Sequence, residues 1–68
     1  MPAVVIDARG MRCPWPALRL ARALREGAGT VDVIADDPVA PGELAAVATA
    51  RGMAFETLAP ERFRIFPG

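Results

Sequence analysis

Short runs of β-branched and aromatic residues alternate along this chain with two stretches of helical period, and that order admits few folds. Val4-Val5-Ile6 is apolar and stops at Asp7, as a short strand does. Thr30–Ala35, Phe55–Leu58 and Phe63–Phe66 read the same way, and Asp36-Asp37-Pro38 ends the first of these. Four residues, Ala59-Pro60-Glu61-Arg62, separate the last two runs and suit a hairpin loop. From Ala17 to Glu26 the spacing is helical: Ala17, Leu20, Ala21 and Leu24 share one stripe, while Arg19, Arg22 and Glu26 lie opposite. Leu18 falls at the border of that stripe, and Gly27 and Gly29 end the helix. A second helix is predicted from about Val39–Pro41 to Arg51. Its core stripe would be Leu44, Val47, Ala48 and the alkyl stem of Arg51, with Gly52 closing it.

The order is β-α-β-α-β-β. Right-handed crossovers put both connecting helices on the same side of one sheet. The expected fold is therefore an α/β two-layer sandwich, a four-stranded mixed sheet with two helices on one face. The opposite sheet face should be the more polar one, with Asp32, Glu56 and Arg64 on it. An apolar face there would instead call for a second copy. We expect a monomer or weak dimer, and pairing of the last strand with another copy is left open. At 68 residues the chain has room for one domain, residues 1–68, and 53% hydrophobic residues argue against disorder.

The residue types that are missing remove whole mechanisms. The chain has no His and no Ser, so a Ser-His triad, a Cys-His pair and a His-ligated metal are all excluded. A single cysteine forms neither an internal disulfide nor a Cys-x-x-Cys metal site. No metal and no organic cofactor is expected. Eight acidic residues balance eight arginines, and no basic stripe stands out, so direct nucleic-acid binding is not expected. Met1–Asp7 has no basic segment ahead of an apolar one, and no apolar run approaches the ~18 residues of a membrane span. With its free thiol, this points to a reducing compartment, the cytoplasm.

The informative segment is Arg9-Gly10-Met11-Arg12-Cys13-Pro14-Trp15-Pro16. It sets the only cysteine immediately ahead of a helix, with Gly10 free to take a positive φ and Pro14 at the first helical position. A thiolate there would feel the positive end of the helix dipole and could accept from the first-turn amides, Trp15 and Ala17, because Pro14 and Pro16 have no N–H. Two prolines stiffen the turn. Arg9 and Arg12 add positive charge, and all three effects favour thiolate. Against this, a lone cysteine inside a domain is more often a small buried hydrophobe, Trp15 a rim residue over the core, and Asp36-Asp37-Pro38 a strand end with a helix cap. The double-proline turn, which packing does not require, favours the reactive reading.

These residues resemble a known family. Asp7-Ala8-Arg9-Gly10-Met11-Arg12-Cys13-Pro14-Trp15-Pro16 is similar to the signature of the TusA/SirA sulfur carriers, with a Cys-Pro-x-Pro motif at the start of the first helix. Ile34-Ala35-Asp36-Asp37-Pro38 resembles the family's second block, Glu43-Leu44 stands where the family usually has Asp-Ile, and Gly52 follows the second helix. The resemblance implies the same β-α-β-α-β-β sandwich. It also implies a sulfurtransferase-type carrier, acting only with partner proteins, that takes sulfane sulfur as a persulfide on Cys13. The donor would be a cysteine desulfurase or thiosulfate sulfurtransferase, and the acceptor a protein of tRNA thiolation, molybdenum-cofactor biosynthesis or sulfur oxidation. Cys13 would carry the sulfur, Gly10, Pro14 and Pro16 support it, and Arg9, Arg12, Trp15, Asp36 and Asp37 meet the partner. The rival reading is a regulatory or protein-binding module with no sulfur chemistry.

Overall fold

In the computed structural model, which describes residues 3–68, six elements follow one another: β1 (Val4–Asp7), α1 (Trp15–Arg25), β2 (Val31–Ile34), α2 (Ala40–Ala50), β3 (Met53–Ala59) and β4 (Arg62–Pro67). Met1 and Pro2, the first residues of the domain span expected above, lie outside the described residues.

The sheet order is β1-β2-β4-β3. β1 and β2 are parallel, whereas β4 runs antiparallel to both β2 and β3. The sheet is mixed, as expected. β4 is hydrogen-bonded on both sides, so the pairing with a second copy left open for this strand is closed; β1 and β3 are the edges. The β3–β4 hairpin is tighter than the four-residue loop expected. Ala59 pairs with Arg62, leaving Pro60 and Glu61 as a two-residue turn, and an irregularity between Thr57 and Ala59 absorbs the extra residue.

One sheet face is apolar because the strands alternate. Cross-strand rows of Val31, Ile65 and Phe55, and of Ile6, Val33 and Phe63, lie under the helices. The Phe55 and Phe63 rings stack with centroids 5.7 Å apart and planes at 16°. α1 buries Pro16, Leu20 and Leu24, and α2 buries Ala40, Leu44 and Ala48, each at a four-residue spacing. Both stripes are rotated slightly from the expected ones. Pro16 replaces Ala17 at the centre of the first, and Arg51 is exposed as the C-cap of α2 rather than laid on the core. Gly27, at φ +99°, ends α1: its N–H donates to Leu24 O (3.1 Å) and the Ala28 N–H to Ala23 O (3.1 Å), the Schellman pattern.

The opposite face carries the row Val5, Asp32, Arg64 and Glu56. Asp32 is only 2% exposed, because two arginine side chains fold over it. Arg64 donates from Nε (2.7 Å) and Nη2 (2.9 Å), and Arg62 donates from Nη2 (3.0 Å). The Arg64 pair, helped by Arg62, holds the Asp32 carboxyl below its usual range against the opposing effect of burial. A depressed carboxyl contributes stability that is present above the unfolded value, near pH 3.9, and is lost as pH falls below it. The melting temperature should therefore drop on acidification below about pH 4, and Asp32→Asn should flatten that acid limb while lowering stability near neutral pH. Because both arginines remain about 40% exposed, water takes over part of the lost contact, and we expect a cost of about 1–2 kcal/mol. An acid limb unchanged in Asp32→Asn would show that the pair does not set it.

Candidate functional site

Parallel pairing builds the site. Since β1 and β2 are parallel neighbours, the loops that follow them emerge side by side at the carboxyl ends of the strands, and the N-termini of α1 and α2 start from the same place. Ala8 N–H still donates to Ile34 O (2.7 Å), and Ala35 N–H to Glu61 O (2.9 Å), before the loops diverge.

Carboxylates of the second loop hold the first. Asp36 accepts the Gly10 N–H at 3.0 Å on Oδ1 and 3.2 Å on Oδ2. Gly10 takes φ +81°, the left-handed conformation expected of it, as the chain turns between Ala8 and Met11. Asp37 accepts the Cys13 N–H on Oδ2 at 2.7 Å and the Val39 N–H on Oδ1 at 3.0 Å. One carboxylate thus ties the cysteine backbone to the turn that opens α2, and these two N–H groups hold the Asp37 carboxyl below its usual range. Asp37→Ala removes both anchors, and we expect a lower melting temperature and faster amide exchange at Cys13 and Val39. Unchanged exchange at Cys13 would show that the carboxylate does not hold the loop. Gly10, Met11, Arg12, Asp36, Asp37 and Pro38 line an open cleft of about 330 Å³ beside the cysteine.

Cys13 is exposed, so the buried-hydrophobe reading does not apply. Its peptide to Pro14 is cis. Pro14 is the N-cap of α1 rather than its first residue; its carbonyl accepts the Leu18 N–H at 3.0 Å, and Pro16 occupies the second position. Trp15 N–H donates to Arg12 O (2.9 Å), so one of the two amides expected to face the sulfur is already committed. Trp15, Leu18 and Val39 are 60%, 51% and 55% exposed, an apolar fringe on the first turns of the two helices.

The charges at the thiol are opposite to those expected. Arg9 turns back onto Asp7, donating from Nε (2.9 Å) and Nη2 (2.7 Å), and lowers the Asp7 carboxyl to about 2. Arg12 acts on Asp37, helping to hold that carboxyl down. The charges that act on Cys13 are those of Glu43, in the first turn of α2, and of Asp37. Hydrogen bonding to Glu43, partial desolvation and the two negative charges push the thiol up from its ordinary value. The direction runs against the thiolate that the arginines and the helix end suggested. Glu43, Leu18 and Val39 were not among the expected site residues. Leu18 had a signal, its place at the border of the helical stripe; Glu43 had none that pointed to Cys13, because thirty positions separate them.

Among the described residues no group of three or more His, Cys, Asp or Glu side chains could hold a metal ion, and no helix is long and apolar enough to cross a membrane. The family model described as sulfurtransferase TusA matches residues 4–66. The crystal structure of a SirA-like protein from Desulfitobacterium hafniense is similar over 91% of this chain and 90% of that one, with 30% identity and a TM-score of 0.78. No curated protein matches the sequence.

Proposed function

The chain belongs to the TusA sulfurtransferase family, and from that premise we propose that it is a sulfur carrier that holds sulfane sulfur as a persulfide on Cys13. The observation that carries this reading is the exposure of the chain's only thiol on a loop anchored through the backbone of Gly10 and of Cys13 itself. In the first step the Cys13 sulfur attacks the outer sulfur of a donor persulfide. The new bond is Cys13–S–SH, and the donor cysteine departs as a thiol. In the second step an acceptor thiolate takes the terminal sulfur and Cys13 returns to its reduced form. No second cysteine is present to resolve the persulfide internally, so the sulfur leaves only to another molecule.

Donor and acceptor are proteins in this reading. A cysteine desulfurase or thiosulfate sulfurtransferase supplies the sulfur, and an enzyme of tRNA thiolation, molybdenum-cofactor biosynthesis or sulfur oxidation receives it. Exposed Trp15 and the charged rim of Arg9, Arg12, Asp36 and Asp37 are the surface such partners meet. A single unpaired thiol supports a reducing compartment, the cytoplasm.

The test is intact mass after incubation with a persulfide-bearing desulfurase or with a sulfurtransferase and thiosulfate. The expected result is a gain of about 32 Da per sulfur, removed by reductant. No added mass with either class of donor would sink the carrier reading.

A further inference from the structure

Among the described residues no strand pairs with the outer side of β1. The Val4 N–H donates to Thr30 O (3.0 Å) and the Ala8 N–H to Ile34 O (2.7 Å), so Val4, Ile6 and Ala8 turn their peptide groups toward β2. Alternation then turns the N–H and C=O of Ala3, Val5 and Asp7 outward. Sheet edges in folded proteins are commonly guarded by charges, prolines or bulges. β3, the other edge, has the irregularity between Thr57 and Ala59 and carries Glu56. Val4-Val5-Ile6 has no such guard, and Val4 and Val5 are 43% and 55% exposed.

Between this edge and α1 lies an open hollow of about 440 Å³, lined by Val4, Val5, Arg19, Arg22, Ala23 and Glu26. A neighbouring hollow joins Val4 to Glu26, Gly27 and Ala28, which sets Val4 at the Glu26 end. We propose that this edge is the contact between two copies of the chain: β1 of each pairs antiparallel about a two-fold axis at Val5, joining the two four-stranded sheets into one. The two Val5 residues exchange N–H···O=C bonds across the axis, and Ala3 of each copy does so with Asp7 of the other. On the helix side Val4 meets Ile6 of the second copy, and no like charges stand opposite along the strands.

The charges on α1 fit the same axis. Because α1 connects two parallel neighbours, it runs antiparallel to β1. From Arg19 to Glu26 it spans about 10 Å, with Val5 abreast of the middle. The two-fold therefore sets Arg19 of each copy opposite Glu26 of the other. The Arg19 guanidinium meets only the Met11 sulfur within its own chain, at 4.0 Å, among the described residues. Glu26 accepts from Arg22 Nε on Oε2 (3.2 Å), which leaves Oε1 for Arg19 of the second copy. A hollow that carries both signs in this order suits a copy of itself better than a strand of uniform charge. The contact also closes, since each copy spends its β1 edge in making it. One short strand and one helix make a small patch, so the expected Kd is on the order of 0.1–1 mM. Antiparallel pairing sends the two Cys13 loops, which follow the carboxyl ends of β1, in opposite directions. Both thiols stay open to partners.

The experiment is sedimentation equilibrium of the full chain under reducing conditions, from about 10 µM to about 1 mM, with amide hydrogen exchange at both ends of that range. The mass should rise from 7.2 kDa toward twice that value. Exchange of the Val5 N–H should slow about threefold over the same range. Val5→Lys sets two ammonium groups opposite each other at the axis and should hold the mass at that of one chain. Its side chain lies on the sheet face away from the helices, so its melting curve should stay near that of the wild type. Arg19→Glu and Glu26→Arg should each weaken association about fivefold, each acting twice through the symmetry. Combining the two should restore association, which damage to the fold would not do. A single-chain mass at every concentration would overturn the assignment and leave the edge to a strand of another protein. A dimer that Val5→Lys leaves intact, or a double variant no stronger than the singles, would overturn it as well.

Discussion

Cys13→Ser abolishes sulfur loading altogether and leaves the fold intact. The side chain is exposed, and its backbone N–H keeps its bond to Asp37 whatever atom sits at the γ position. A surface exchange of this kind is close to neutral, so the melting curve should superimpose on that of the wild type. The chemistry does not survive, since a serine hydroxyl is not ionised at neutral pH and forms no persulfide. Partner binding should persist, because Trp15, Leu18, Val39 and the charged rim are untouched. The measurement is therefore paired: intact mass after exposure to a donor, and affinity for that donor by calorimetry. Loss of loading with retained affinity is the expected result. Retained biological function in Cys13→Ser would favour a binding or regulatory module instead.

Phe63→Ala should unfold most of the protein. Phe63 lies on β4, inside the sheet, is 2% exposed, and stacks on Phe55. Truncating a buried phenylalanine costs about 3–5 kcal/mol, through lost transfer free energy and the cavity left behind. A chain of this size is stable by roughly 3–10 kcal/mol. The two ranges overlap, so the variant should show no cooperative transition at room temperature, or one at much lower urea. Leu58→Ala is the control: that side chain is 40% exposed at the β3 irregularity, and its loss should cost less than about 1 kcal/mol. A Phe63→Ala midpoint close to that of Leu58→Ala would contradict the packing described.

Both predictions rest on features of unequal legibility. Phe63 declared itself by period two and by its place in an apolar run. Cys13 declared itself by being alone, ahead of a double-proline helix start. The turn between β3 and β4 was less readable, because the irregularity before Ala59 removes a residue from the apparent loop. Arg51 was misplaced since a helical wheel says where a side chain points, not where the neighbouring layer ends. The charge at the sulfur was read with the wrong sign. Arg9 and Arg12 are close in sequence, whereas the carboxylates that act on the thiol come from 24 and 30 residues away.

The alternation of strand and helix runs determined the β-α-β-α-β-β order and the two layers, because short-range periodicity and the handedness of crossovers leave few other arrangements. The residue inventory determined what chemistry remained, with one thiol and no histidine or serine. Only the tertiary structure decided the sheet order that encloses β4, the burial of Asp32 beneath two arginines, and the placing of Asp37 against Cys13. The reason is common to all three. Each depends on groups far apart in sequence meeting across strands or loops, and a one-dimensional pattern carries the period of an element but not the identity of its neighbour.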